Sequence, residues 1–375
     1  MMTTDNIGLY IHVPFCVRKC RYCDFASFSG IGNDVRARYI DRLCEEIESY
    51  SCDRRIGVNT VFFGGGTPSL LSPDELSRIL SSVRSTFALA PDAEITMEMN
   101  PGTLTQDSVS AYASLGVNRA SIGCQSFNEN ELKILGRIHN SAEIYDAAEI
   151  VKMAGISNFS LDLMYGIPEQ TAASFEHSLR SALALSPSHL SVYGLILEEG
   201  TPFYEHRSSL ALPSEDEESD MYALASRLLG EHGFSHYEIS NYARPGFESR
   251  HNLKYWRDEE YIGFGLAAYS YYGKKRYGNT SHMDEYLSDD YVKYRYVEDI
   301  TDADAEFEYA MMHLRLSEGF SLSDYRARFG RDFQDGRKEA IDRYAGLGYL
   351  TLKDDRLSLT ERGFYISNTI LSELL

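Results

Sequence analysis

Six apolar, strand-like runs separated by amphipathic helical stretches occupy the first 200 residues, and this alternation constrains the fold more than any other feature of the chain. The runs are Gly8–Phe15, Val58–Phe63, Ala93–Met99, Arg119–Ser126, Asn158–Tyr165 and His189–Leu195. Between them lie helical periods over Asp34–Tyr50, Pro73–Phe87, Gln106–Leu115, Ala142–Met153 and Ala172–Leu185. Strand then helix in turn makes βαβ units, and a helical crossover returns the chain so that successive strands pair in parallel. Six such units predict an incomplete barrel, shorter than the eight-strand (βα)8 form. Gly and Pro mark the loops, as at Gly64-Gly65-Gly66-Thr67-Pro68 and Asn100-Pro101-Gly102.

The strands carry a second pattern. Glu94, Thr96 and Glu98 alternate with Ile95, Met97 and Met99; Ser121, Gly123 and Gln125 share one side; Asn158, Ser160 and Asp162 oppose Phe159, Leu161 and Leu163. Side chains point to opposite faces along a strand, so the apolar set packs under the helices and the polar set faces inward. A barrel lined this way is a chamber rather than a filled core. The other reading of the pattern, a half-exposed antiparallel sheet, leaves the intervening helices without a role.

Directly after the first run stand Cys16, Cys20 and Cys23, spaced C-x3-C-x2-C. Three thiolates on one short loop suit three irons of a cubane [4Fe–4S] cluster and leave the fourth iron open to a small molecule. A structural zinc site wants a fourth Cys or His at zinc spacing, and none follows. Cys44, Cys52 and Cys124 lie outside the spacing; Cys44 shares a helical apolar face with Ile40, Leu43 and Ile47 and reads as core.

Charge narrows the partners. A formal net charge of −20 repels phosphate backbones, so nucleic acid is excluded as a partner. The N-terminus lacks a signal-peptide pattern, no apolar run reaches membrane-span length, and six cysteines in 375 residues make no disulfide framework. A reducing, cytoplasmic setting is expected. The acidic run Ser214-Glu215-Asp216-Glu217-Glu218 reads as a capped helix start, and the Tyr-rich stretch Tyr255–Tyr277 as loop. From about residue 301 helices over Ala305–Leu316, Ser323–Phe329 and Gly336–Leu347 precede a hairpin, Leu350–Leu359, turning at Asp354-Asp355, and a last helix over Thr360–Leu374. That is a winged-helix-like α+β module; its 14 acidic against 10 basic residues disfavour DNA binding. The expected division is 1–210 for the partial barrel, 211–300 for a flanking segment and 301–375 for the module.

Taken together, the cysteine loop, Phe63-Gly64-Gly65-Gly66-Thr67-Pro68-Ser69, Glu98-Met99-Asn100-Pro101-Gly102, Ser121-Ile122-Gly123-Cys124-Gln125-Ser126 and Leu161-Asp162-Leu163-Met164-Tyr165-Gly166-Ile167-Pro168 resemble the HemN-type radical S-adenosylmethionine (SAM) family over nearly the whole chain. The resemblance implies a radical SAM partial barrel in which Cys16, Cys20 and Cys23 hold the cluster and SAM binds the open iron. It also implies SAM contacts from Tyr10, Tyr22, Gly65, Gly66, Thr67, Glu98, Gln125, Arg137 and Asp162, with Arg137 pairing the SAM carboxylate. The dehydrogenases of this family have a Cys two residues after the third cluster Cys; here Phe25 stands there, and their long N-terminal extension is missing. Both differences match the HemW branch of heme chaperones, as does His251-Asn252-Leu253-Lys254-Tyr255-Trp256, an H-N-x-x-Y-W motif. By that resemblance His251 is an axial ligand for heme iron, with Tyr255 and Trp256 as flat partners. Without it the motif reads as a buried His capping a turn beside packed aromatics.

Three functions follow as expectations. The first is a heme chaperone that holds a [4Fe–4S] cluster, SAM and heme. It would pass heme to acceptor hemoproteins such as respiratory oxidases, pair as a homodimer when cluster or heme is bound, and touch the membrane face. The second is an oxygen-independent coproporphyrinogen III dehydrogenase, a radical SAM enzyme of porphyrin biosynthesis. A structural or regulatory winged-helix protein is the third, and it leaves the inward polar strands unexplained.

Overall fold

A computed structural model describes residues 6–51, 55–291 and 293–375; Cys52 lies outside them. All six strands form: β1 (Ile7–Val13), β2 (Gly57–Gly65), β3 (Ala88–Met99), β4 (Arg119–Gln125), β5 (Asn158–Tyr165) and β6 (His189–Gly194). Each pairs in parallel with the next. Their registers align Val13 with Gly65, Glu98 with Ser121 and Gly123 with Asp162, so these residues reach one end of the sheet together.

The helices start where side chains accept the free N–H groups of the first turn. Ser72, Thr105, Asn140 and Thr171 each form a capping box. Ser214 does the same with Glu217, which makes the acidic run the start of the Glu215–Glu231 helix. On the helix side of the sheet, Leu9, Val61, Met97, Ile122 and Leu161 are fully buried at period two. Each contributes roughly 1.5–3 kcal/mol by leaving water, and a one-residue slip would turn all of them into the chamber. Cys44 and Cys124 belong to this core.

The sheet does not close. Among the described residues it runs to twelve strands, with β1 and β6 separated by four others. Tyr261–Phe264 adds to β1 in parallel, followed by an antiparallel meander of Tyr269–Tyr272, Lys275–Gly278 and Tyr296–Asp299. The Tyr-rich stretch is therefore strand in good part, not loop; its aromatics have the β propensity that its glycines obscured. Beyond β6, Asn241–Ala243 and Ser235–Glu238 continue the sheet antiparallel. Met221, Ala225, Ile262, Phe264 and Tyr286, all from the 211–300 segment, pack into the same core as the barrel strands.

Residues beyond 301 build a second core around Tyr309, Phe320, Tyr325, Phe333 and Leu357. Five helices and a three-stranded sheet surround it, with Asp354 and Asp355 both at positive φ in the hairpin turn. The last helix is broken at Ile366 into Glu361–Tyr365 and Ser367–Leu374. The module docks through Arg328 to Asp258 at 2.7 Å and Ser317 N to Tyr237 O at 3.0 Å.

Candidate functional site

The cysteine loop leaves β1 and is tied down at both ends. His12 Nε2 lies 2.8 Å from Ala26 O and Phe28 N donates to Pro14 O at 2.7 Å. At the far side, Arg18 Nη2 donates to Gly136 O at 2.8 Å and Arg21 N to Leu135 O at 3.0 Å. The anchor is the end of a helix, Glu129–Leu135, that the sequence reading missed because seven residues offer too few periods. Gly136 closes that helix in the left-handed region, and Arg137 follows it straight back onto the loop. Arg137 Nη1 lies 3.5 Å from Cys20 Sγ, Nη2 donates to Gly123 O at 2.7 Å, and its buried Nε has no partner among the described residues.

The loop caps a cavity of about 510 Å3 at the C-terminal ends of the strands. Cys16, Cys20, Cys23, Tyr22, Gly65, Gly66, Thr67, Glu98, Gln125, Arg137 and Asp162 all line it. Such a volume suits a small-molecule guest, and this end is where parallel barrels place their chemistry. Tyr10 does not line it: its hydroxyl is 3.0 Å from His12 Nδ1 and its ring stacks on Phe62.

The glycine run is required by the fold as well as by any ligand. A Cβ on Gly66 would lie 2.7 Å from Phe15 O and 2.9 Å from Val13 O, and Gly65 sits at φ 112° with the His12 ring 2.5 Å from its would-be Cβ. Thr67 Oγ1 points at Cys16 Sγ, 3.6 Å away. Gln125 is held in the left-handed region at φ 66° beside a β-bulge, and Tyr193 donates to its Oε1 at 2.6 Å. A non-glycine residue in that region stores strain that recurs at ligand sites.

Two carboxyls face inward, and burial is the largest influence on each. Burial, together with the Asp162 charge, pushes Glu98 up to about 8; only Gly65 N opposes this, donating to its Oε2 at 3.1 Å. Burial also raises Asp162, against the hydroxyls of Ser191, Ser121 at 2.9 Å and Ser160 at 3.1 Å and against the Arg119 charge. Burial lifts the Cys23 thiol, partly countered by the Phe25 backbone. Among the described residues no three Cys, His, Asp or Glu side chains converge on a single metal-ion position. A cubane asks for something else, one thiolate on each of three irons. The unpartnered Arg137 Nε and the inward carboxyls fit a guest that carries both an anionic and a cationic group.

The HNxxYW residues are elsewhere. His251 is 1 % exposed and plugs the other end of the barrel interior from the Arg250–Trp256 helix. Its Nδ1 lies 2.9 Å from Thr60 Oγ1, its Nε2 2.9 Å from Tyr255 Oη, and Phe62 stacks on the ring. Burial and the nearby Lys254 lower its pKa to about 3, so the ring is neutral with one nitrogen donating and the other accepting. No lone pair is left for heme iron. The sequence expects an axial ligand at His251 with Tyr255 as a flat partner; in this structure the ring holds the barrel floor, and Tyr255 contacts His251 and Tyr261. Trp256 faces the C-terminal module, with Arg315 5.9 Å over its ring.

One residue the sequence reading passed over is prominent. Arg119 lines the cavity from the start of β4 and is 2 % exposed. It shares the inward phase of Ser121, Gly123 and Gln125, so the signal was present one step earlier in the strand.

Comparison with known proteins adds the family. Residues 10–182 match the radical SAM superfamily and residues 300–366 the HemN C-terminal domain. The chain is 38% identical to the heme chaperone HemW of Escherichia coli over 386 aligned positions, covering 100% of both. It is 36% identical to that of Lactococcus lactis over 369 positions, covering 98% of this chain and 96% of the relative. The crystal structure of Escherichia coli coproporphyrinogen III oxidase (HemN), a radical SAM enzyme, superposes with a TM-score of 0.84 at 22% identity, over 98% of this chain and 89% of that one.

Proposed function

The chain belongs to the HemW heme chaperone family of the radical SAM superfamily, and from that premise we propose that it binds heme and delivers it to acceptor hemoproteins such as respiratory oxidases. In this reading Cys16, Cys20 and Cys23 hold a [4Fe–4S] cluster. Tyr22, Gly65, Gly66, Thr67, Glu98, Gln125, Arg137 and Asp162 surround SAM. The observation that carries the site is that one cavity gathers the cysteine loop and all these residues.

The protein's own groups divide the work. Arg137 places a guanidinium beside Cys20, where it offsets thiolate charge and offers its free Nε to a carboxylate. Glu98 and Asp162 present acceptors for an ammonium or for hydroxyls. Gly66 and the carbonyls around it leave room for a backbone-close guest. When bound, a cluster of this type with SAM supplies one-electron chemistry. The heme reading comes from the relatives, with Phe25 in support: its ring is 60 % exposed on the cavity rim, where the dehydrogenases carry a thiol. We place the protein in the cytoplasm, with dimerisation when cluster or heme is bound and contact with the membrane face. No helix among the described residues is long and apolar enough to cross a membrane.

The test is anaerobic reconstitution of the full chain, followed by heme titration and a coproporphyrinogen decarboxylation assay on the same sample. Stoichiometric iron, sulfide and heme without vinyl product is the expected outcome. Turnover to protoporphyrinogen without heme retention overturns it.

A further inference from the structure

We infer that the inner end of the cavity is a carboxylate-binding subsite built on Arg119, and that the carboxylate it takes is a tetrapyrrole propionate. This rests on the heme reading above and names the anchor that reading lacks, now that His251 is committed to the barrel floor.

Arg119 is among the largest fully buried side chains of the protein, and an arginine keeps its charge in any protein environment. A buried guanidinium is normally matched by a carboxylate and by acceptors for its donors. Here Nε has no hydrogen-bond partner, and no carboxylate forms an ion pair with the group among the described residues. The candidates nearby are spoken for. Asp162 takes the hydroxyls of Ser121 and Ser160 and feels the Arg119 charge without forming an ion pair with it, and Glu94 receives the backbone N–H groups of Arg250 and His251. His189 is 2.8 Å from both Ser160 Oγ and Tyr237 Oη. Thr96, registered beside Arg119 on β3, also has an orphaned hydroxyl, as does the carbonyl of Asn241 on the cavity wall. A cation with an orphaned Nε and no ion pair, next to an uncommitted hydroxyl, is a preorganised carboxylate site.

Position favours the propionate over SAM as the source. Arg137, at the mouth beside Cys20, is the guanidinium placed for an amino-acid carboxylate near the cluster. The rim above Arg119 exposes Phe25 and Ile196, at 60 % and 68 %. An apolar entrance over a cationic floor suits a guest with an apolar body and acidic arms.

The experiment uses the reconstituted full chain as wild type, Arg119→Met and Arg119→Lys. Each is titrated with iron protoporphyrin IX and with its dimethyl ester, and separately with SAM and decarboxylated SAM. Wild type is expected to prefer the free acid over the ester by about tenfold or more, the scale of a charge-assisted pair. Arg119→Met should bring that ratio close to one, Arg119→Lys should keep part of it, and neither should change the SAM ratio. The ligand-free Arg119→Met protein should melt no lower than wild type, because the buried cation it loses makes no ion pair. An unchanged porphyrin ratio in Arg119→Met overturns the subsite while leaving the heme reading standing. Loss of the SAM ratio instead assigns the carboxylate to SAM and overturns the propionate. Failure of wild type to bind either porphyrin sinks the heme reading and this inference together.

Discussion

Two buried charged side chains sit on opposite sides of the first barrel strands, and they are treated in opposite ways. Glu46, 4 % exposed at the end of the first helix, has its oxygens fully engaged: Gly265 N donates at 3.0 Å, Tyr286 Oη at 2.7 Å and Asn279 Nδ2 at 2.7 Å. Arg119, at 2 %, has an orphaned Nε and no ion pair with a carboxylate among the described residues. Both cost desolvation on folding, but only the first recovers it internally. The contrast separates scaffold from site better than burial does. A saturated buried charge fixes the Tyr-rich meander onto the barrel, whereas an unsaturated one beside a cavity is kept for a guest.

The largest way to break this contrast is Glu46→Ala. Three donors would be stranded together, and a loss of about 3–5 kcal/mol in urea unfolding is expected. A loss under about 0.5 kcal/mol, the level of a surface change, would remove the scaffold half of the contrast. Next comes His251→Ala, which strands Thr60 and Tyr255 and empties the Phe62 stack; about 2–3 kcal/mol of stability should go, with porphyrin affinity unchanged in the folded fraction. Loss of porphyrin with full stability would restore His251 as the iron ligand.

A smaller effect sharpens the comparison through pH. Burial pushes Glu238, and likewise Glu98, up to about 8, well above an unfolded carboxyl. The folded state then holds protons the unfolded chain has released, so their share of stability is full at low pH and lost as pH rises through 8. Burial lowers His251 to about 3 and His236 to about 4, and their share runs the other way, lost as pH falls below 6.5. Between pH 6.5 and 8 only the carboxyls act. Unfolding free energy should fall there, and Glu238→Gln should remove about 1 kcal/mol of that fall. The smallest expected signal is a proton count. A cationic guest next to Glu98 favours its ionised form, so SAM binding at pH 7 should release up to about one proton, read by calorimetry in two buffers, and Glu98→Gln should release none.

Much of this was legible in one dimension. Period-two alternation inside 3.6-residue periods yields the six parallel strands, because each apolar face has only one place to go. The spacing of Cys16, Cys20 and Cys23 and the inward phase of Glu98, Gln125 and Asp162 are local facts, and local facts survive folding. The Tyr-rich meander was misread because its strands, four residues each, are held by pairing to β1 and to one another rather than by any local pattern.

What tertiary structure alone decided is who satisfies whom. The residues of the HNxxYW motif have the right chemistry for a ligand, and only the packing of their helix across the barrel floor places Thr60 and Tyr255 on the two nitrogens of His251. Arg119 looks like any strand-end arginine until its neighbours are seen to be occupied. Sequence therefore determined the strands, the chamber they line and the sulfur donors at its mouth. The three-dimensional contacts determined which buried polar groups are closed and which remain open, because hydrogen-bond saturation depends on atoms brought together from distant parts of the chain.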